Sequence, residues 1–259
     1  MVSVVTELLC WTLFVFGLVV GSFLNVVGYR IPRGESIVHP RSHCPQCERP
    51  LSFYELIPVL SWLGLKGRCN TCHGVIPVRY PIVELVTGSL FAATVLTGIK
   101  PTEVLATCVF WMFMAAVTVT DITAMRVPNV LSLPGALVVF VLVVTSGIQT
   151  WSHSLVGALT GFAVMFAIHL LSGGNMGLGD VKLYLMIGAL FGPIGAVESI
   201  MAASALGSLT GISLRLTGLL PARSYIPFVP YIFAGTILVY FFGPSAWHWY
   251  VTSVLHLSY

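Results

Sequence analysis

Val104-Leu-Ala-Thr-Cys-Val-Phe-Trp-Met-Phe-Met-Ala-Ala-Val-Thr-Val-Thr120 carries no charged side chain, and the run ends on Asp121. The only other aspartate, Asp180, stands in Gly177-Leu-Gly-Asp180 at the head of a second apolar segment. Hydrophobic residues make up 57% of the 259 and charged residues 8%, with a mean hydropathy of +0.95. A soluble domain of this size cannot hide that much apolar surface, so the fold class is an all-α polytopic membrane protein. A carboxylate beside hydrocarbon is costly and marks a functional site. Two such groups can share a proton and work as acid and base, so these residues point to an aspartyl protease at a membrane face.

Helices are expected at 5–28, 82–99, 103–122, 129–148, 153–172, 180–196, 198–217 and 226–243. The last two before the end share one long apolar stretch, which Gly192-Pro-Ile-Gly195 divides. About eight transmembrane helices result. The first 20 residues lack Lys and Arg and carry Glu7, so they read as a first span, 1–28, rather than a cleavable signal. The polar segment 29–81 is a small loop domain, and 82–259 forms the remaining membrane part.

Arg30, Arg33, Arg41, Arg49, Lys66, Arg68 and Arg79 lie in or beside the 29–81 loop. Arg126, Lys182, Arg215 and Arg223 fall on the same side, and Lys100 stands alone on the other. The positive-inside rule makes that side cytoplasmic and puts both termini outside. Asp121 and Asp180 then both reach the cytoplasmic face. Trp247, Trp249, Tyr250 and Tyr259 read as an outer aromatic belt. The formal charge of +3 is too small to imply a nucleic-acid partner.

The loop contains Cys44-Pro-Gln-Cys47 and Cys69-Asn-Thr-Cys72. Two C-x₂-C pairs supply four thiolates, which suits a closed tetrahedral structural zinc site. A loop of this size has too small a core to fold alone, and a metal would staple it. A reducing cytosol argues against structural disulfides, and nothing around the pairs reads as a redox βαβ unit. His43 and His73 adjoin the cysteines as alternative ligands or as solvated loop residues. Cys10 and Cys108 read as ordinary buried thiols.

Asp180 suits a helix N-terminus, whereas a carboxylate at a helix C-terminus, as Asp121 would be, opposes the macrodipole. The dipoles favour Asp180 as the water-activating base and Asp121 as the acid, with Arg126 and Lys182 able to reverse that order. The glycines before Asp180 let the backbone unwind so that another chain can approach.

Taken together, these residues resemble the type IV prepilin leader peptidases of the bacterial inner membrane. Gly21-Ser-Phe-Leu-Asn-Val-Val27 with Tyr29, Arg30 and Pro32 is similar to that family's opening signature. Pro40-Arg-Ser42, the cysteine pairs, Pro58-Val-Leu-Ser-Trp62, Lys66-Gly-Arg-Cys69 and Arg79-Tyr-Pro-Ile-Val-Glu84 resemble its cytoplasmic domain. Asp121 to Asn129, Gly177 to Leu183, and Ile226-Pro-Phe228 with Pro230 resemble its later blocks. Val229, Asn129 and Ser132 depart from the usual residues. The resemblance implies cleavage of a basic leader after a glycine from prepilins and pseudopilins, with Asp121 and Asp180 catalytic. It also implies methylation of the new N-terminus with S-adenosylmethionine, with Gly67, Arg79, Tyr80 and Glu84 as the residues that bind that donor. Each also has a plain structural role open to it, as turn, topology charge or capped carboxylate. Rival readings are a proton-coupled transporter using the aspartates, a presenilin-like protease, and a peptidase without methyl transfer.

Overall fold

A computed structural model describes residues 4–219, 225–254 and 256. Arg223 and Tyr259, used above for charge and belt, lie outside the described residues. The helices are α1 Val4–Arg30, α2 Leu60–Gly64, α3 Arg79–Leu96, α4 Pro101–Ala124, α5 Asn129–Ser146, α6 Trp151–Leu171, α7 Leu178–Leu216 and α8 Val229–Ser253. Among the described residues there is no strand, only two isolated bridges in the loop. Six helices, α1 and α4 to α8, are long and apolar enough to cross a membrane. α3, as long as α5 at 18 residues, is more polar, with Arg79, Glu84, Thr87 and Thr94 along it. The chain divides into two compact units at Pro128–Asn129.

In the first unit α1 lies against α3 along Gly17 and Gly21. A Cβ on Gly17 would come within 2.7 Å of Gly88 Cα, and one on Gly21 within 2.7 Å of Glu84 Cα. Small residues at this spacing let two backbones touch where lipid offers no hydrophobic drive. α4 is the most enclosed span, with Phe110, Trp111, Met114 and Val117 fully buried. Trp111 Nε1 donates to Thr94 Oγ1 on α3 at 3.2 Å, and Thr123 Oγ1 donates to Gly28 O on α1 at 2.8 Å. The α4 C-terminus is thereby fixed beside the end of α1.

In the second unit α6 packs along the first half of α7. The expected division of the 180–217 stretch is visible in the backbone: Gly192 has φ 71° and ψ −175° inside an otherwise helical run. Pro193 cannot donate to Ala189 O, four residues back. Ser154 Oγ fills that place at 2.8 Å, and Gln149 Nε2 donates to Leu190 O at 3.1 Å. The break is therefore satisfied from α6 and the turn before it, as backbone at membrane depth requires. Lys182 Nζ donates to Asn129 Oδ1 at 2.9 Å, tying the starts of α7 and α5. α8 runs on through Pro244 to Ser253, so Trp247, Trp249 and Tyr250 extend that helix beyond the expected end at 243.

Candidate functional site

The loop between α1 and α3 is built from two matching knuckles. In the first, Cys44 N donates to Arg49 O, Glu48 N to Cys44 O, and Leu51 N to Ser42 O. In the second, Cys69 N donates to Gly74 O, His73 N to Cys69 O, and Ile76 N to Gly67 O, position for position. Glu48 (φ 55°) and His73 (φ 57°) occupy the same left-handed place in each turn. Each knuckle is closed by one bridge, His43 with Pro50 and Arg68 with Val75.

This duplication brings Cys44, Cys47, Cys69 and Cys72 together, their sulfurs all within 4.8 Å of one another. Cys44 Sγ and Cys72 Sγ are 3.7 Å apart. A tetrahedral ion with bonds of about 2.3 Å places its sulfurs about 3.8 Å apart, so the cage fits zinc in size as well as chemistry. The backbone N–H groups of Cys72 and Thr71 bring the Cys69 thiol down to about 6. Gly74 N–H favours the Cys72 thiolate too, but burial and the neighbouring sulfurs outweigh it and push that thiol up to about 11. His43 and His73 are exposed and stay out of the cluster. Cys108 is buried in α4, and Cys10 Sγ donates to Ala92 O, so both keep the packing role expected of them.

Beside the knuckles, α1 and α3 enclose a cavity of about 210 Å³. Tyr80 and Glu84 line it, together with Asn25, Arg30, Glu55 and Trp62. Gly67 and Arg79 do not. Gly67 (φ +67°) turns the second knuckle beneath Trp62, and the Arg79 guanidinium lies 5.2 Å from the Tyr80 ring centre. The buried Glu84 carboxylate accepts from Val59 N at 2.7 Å. Asn25 Nδ2 donates to both Gly21 O and Tyr80 O at 3.2 Å. Arg30 is buried and donates to Ser36 O at 2.9 Å. Burial alone would raise the Glu55 carboxyl; Ser52 N–H and the Arg49 guanidinium outweigh it and hold the group below its ordinary range. The cavity therefore offers one buried cation, several carboxylates and aromatic faces. Asn25 and Arg30 were visible in sequence as the polar interruptions of α1, but only as parts of a motif, not as pocket residues.

The two aspartates are described each in its own unit. Asp121 is 7% exposed in the last turn of α4, whose C-cap Met125 adopts φ 50°. Asp180 is in the first turn of α7, two residues after Leu178, and its Oδ2 is 3.5 Å from where a Cβ on Gly177 would stand. An acidic group there is favoured by the helix dipole, and one in the place of Asp121 is not. The positions expected from sequence, a helix end and a helix start, are those observed.

The bacterial peptidase A24 N-terminal domain matches residues 15–97, and the type IV leader peptidase family matches residues 108–212. A Bacillus subtilis protein named prepilin leader peptidase/N-methyltransferase is 38% identical over 94% of this chain and 98% of its own length. An Aeromonas hydrophila protein of the same name is 33% identical, with 93% of each chain covered. An Escherichia coli type 4 prepilin-like proteins leader peptide-processing enzyme is 30% identical over 85% of this chain and 89% of its own. No solved structure matches the chain. With relatives this similar along nearly its whole length, the chain belongs to the type IV leader peptidase family.

Proposed function

We propose that this chain cleaves the leader peptide of prepilins and pseudopilins and N-methylates the residue so exposed. The observation that carries the reading is similarity along nearly the whole length to relatives named for both activities, in a chain that has an aspartate at the end of α4 and another at the start of α7. Asp121 and Asp180 are the catalytic carboxylates: one takes a proton from the attacking water, and the other gives a proton to the scissile carbonyl. The cost of burying Asp121 at a helix C-terminus supports this role.

Zinc is the metal of the four-cysteine cage, supported by the sulfur spacing and by a set of four thiols with no free position for a substrate. It would fix the knuckles and take no part in either reaction. S-adenosylmethionine, when bound, supplies an electrophilic methyl group on a sulfonium. The cavity by Arg30, Tyr80 and Glu84 suits such a donor, because Arg30 matches its carboxylate and the acidic groups match its cationic parts. Gly67 and Arg79 would act from behind that wall, shaping the knuckle turn and the Tyr80 ring. The pilin N-terminus would have to reach this wall as a neutral amine, and its proton would leave as the methyl arrives.

We read the membrane part as eight crossings, counting α3 and the two arms of α7 on either side of Gly192 separately. Residues 1–28 are the first span, 29–81 the zinc-binding loop domain, and 82–259 the peptidase domain of a bacterial inner-membrane protein. The charge pattern supports a cytoplasmic face for the loop and both aspartates, where anionic lipid would hold a basic leader. Incubating the purified chain with a leader-bearing pilin and S-adenosylmethionine should yield a product lacking the leader and heavier by one methyl. Leader loss without the methyl would leave a peptidase alone, and an unchanged mass would refute the reading.

A further inference from the structure

The stretch Leu51-Ser-Phe-Tyr-Glu-Leu-Ile-Pro-Val-Leu-Ser-Trp-Leu-Gly-Leu65 belongs to the polar loop yet contains one charge, Glu55. That one is buried against Arg49. Leu51, Trp62 and Leu65 are half-buried toward the cavity, but six of its apolar side chains are exposed: Phe53 at 86%, Leu60 at 67% and Leu63 at 58%, with Tyr54, Leu56 and Ile57. A contiguous apolar face of this kind on a small domain needs an occupant. Its position says which. Val59 N is bonded to the Glu84 carboxylate, and Glu84 Cα lies against Gly21 of α1. Gly21 is about 13 Å along the helix from Arg30, where α1 ends, at 1.5 Å per residue. The start of α2 is thus held level with the interior of a membrane-spanning helix, not beyond its end. Ile82 and Leu85 of α3, on either side of Glu84, are exposed in the same way. The backbone is prepared for such a place: Ser61, Leu63, Leu65 and Gly67 N–H groups all donate to carbonyls within the stretch. The exposed cations Arg33, Arg41, Lys66 and Arg68 lie outside it in sequence, where headgroups would meet them.

We propose that residues 53–63 form a membrane-inserted element, with lipid acyl chains as the occupant of their apolar face. The loop domain is then a part-embedded body whose cavity opens at the bilayer surface rather than a soluble appendage. The reading concerns the lipid contact and is independent of which reactions the chain performs.

The test uses the full chain in nanodiscs of phosphatidylethanolamine and phosphatidylglycerol, with an environment-sensitive fluorescent amino acid at Leu60, Phe53 or, as control, Lys66. Nitroxide-labelled lipids should quench the Leu60 and Phe53 probes at least about threefold more than the Lys66 probe, and aqueous iodide should show the reverse order. Equal iodide quenching at all three positions would overturn the proposal. So would shielding of Leu60 and Phe53 that develops only when a prepilin is added, since the face would then dock the substrate. Should the Leu60 probe disturb the fold, shown by lost zinc, the Phe53 probe decides.

Discussion

Replacing Asp121 by Asn, or Asp180 by Asn, should lower leader cleavage by at least about a hundredfold, the usual contribution of a positioned general acid or base. Either change removes a proton-exchanging group and substitutes an amide of nearly the same shape. One oxygen becomes an NH₂, so nearby hydrogen bonds will adjust, but the helices should stand. α4 is held by its buried Phe110, Trp111 and Met114 and by the bonds of Trp111 and Thr123. α7 is held by Ser154 of α6 and by Gln149 just before that helix. The check is the initial rate on a leader-bearing pilin, with zinc content and thermal unfolding measured alongside. Near wild-type cleavage by either variant would remove that aspartate from the chemistry.

The second large effect belongs to the cysteines. Changing Cys69 or Cys44 to Ser should release the metal, which wild-type protein should hold at about one zinc per chain. Binding of structural zinc is itself folding energy for so small a domain. Each knuckle keeps its own turn bonds, and the four sulfurs, with Gln46 set against Gly74 and Cys72, hold one knuckle to the other at the centre. Without the metal the wall carrying Trp62 and Glu55 loses its support, whereas α4 and α7 lie outside the loop. Methyl transfer should therefore fall by about tenfold or more while cleavage remains measurable. Metal analysis under reducing conditions, with both rates on the same preparation, checks this. Metal-free wild-type protein would refute the site.

The membrane helices were legible because apolar length, Gly and Pro carry their own physical meaning. Gly192-Pro193 announced a break in α7, and the backbone breaks there. Gly17 and Gly21, four residues apart, let α3 approach α1 closely within the same chain. α8 outran its expected end because the helix continues through Pro244. The cysteine spacing foretold the cage, since two short turns can meet around one ion in few ways. The cavity was not legible. It depends on Glu84 reaching Val59, and on Asn25 reaching Tyr80, across sequence distances that no local pattern records. For the same reason Gly67 and Arg79 looked equivalent to Tyr80 and Glu84, although only the latter two line the cavity. The outward face of Phe53 to Leu63 was hidden by its setting, because a loop rich in charge elsewhere reads as solvated throughout.

The central claim is that one chain carries two reactions on separate sets of residues. Its most direct measurement is transfer of labelled methyl from S-adenosylmethionine to a pre-cleaved pilin, with free N-terminal phenylalanine, by the Asp180→Asn variant and by a Glu84→Gln variant. Methyl transfer needs an aligned, neutral amine rather than an activated water. Near wild-type labelling is expected of Asp180→Asn, which should not cleave, and weak labelling of Glu84→Gln, which should still cleave. Loss of both activities together in each folded variant would mean a single shared site and would contradict that claim.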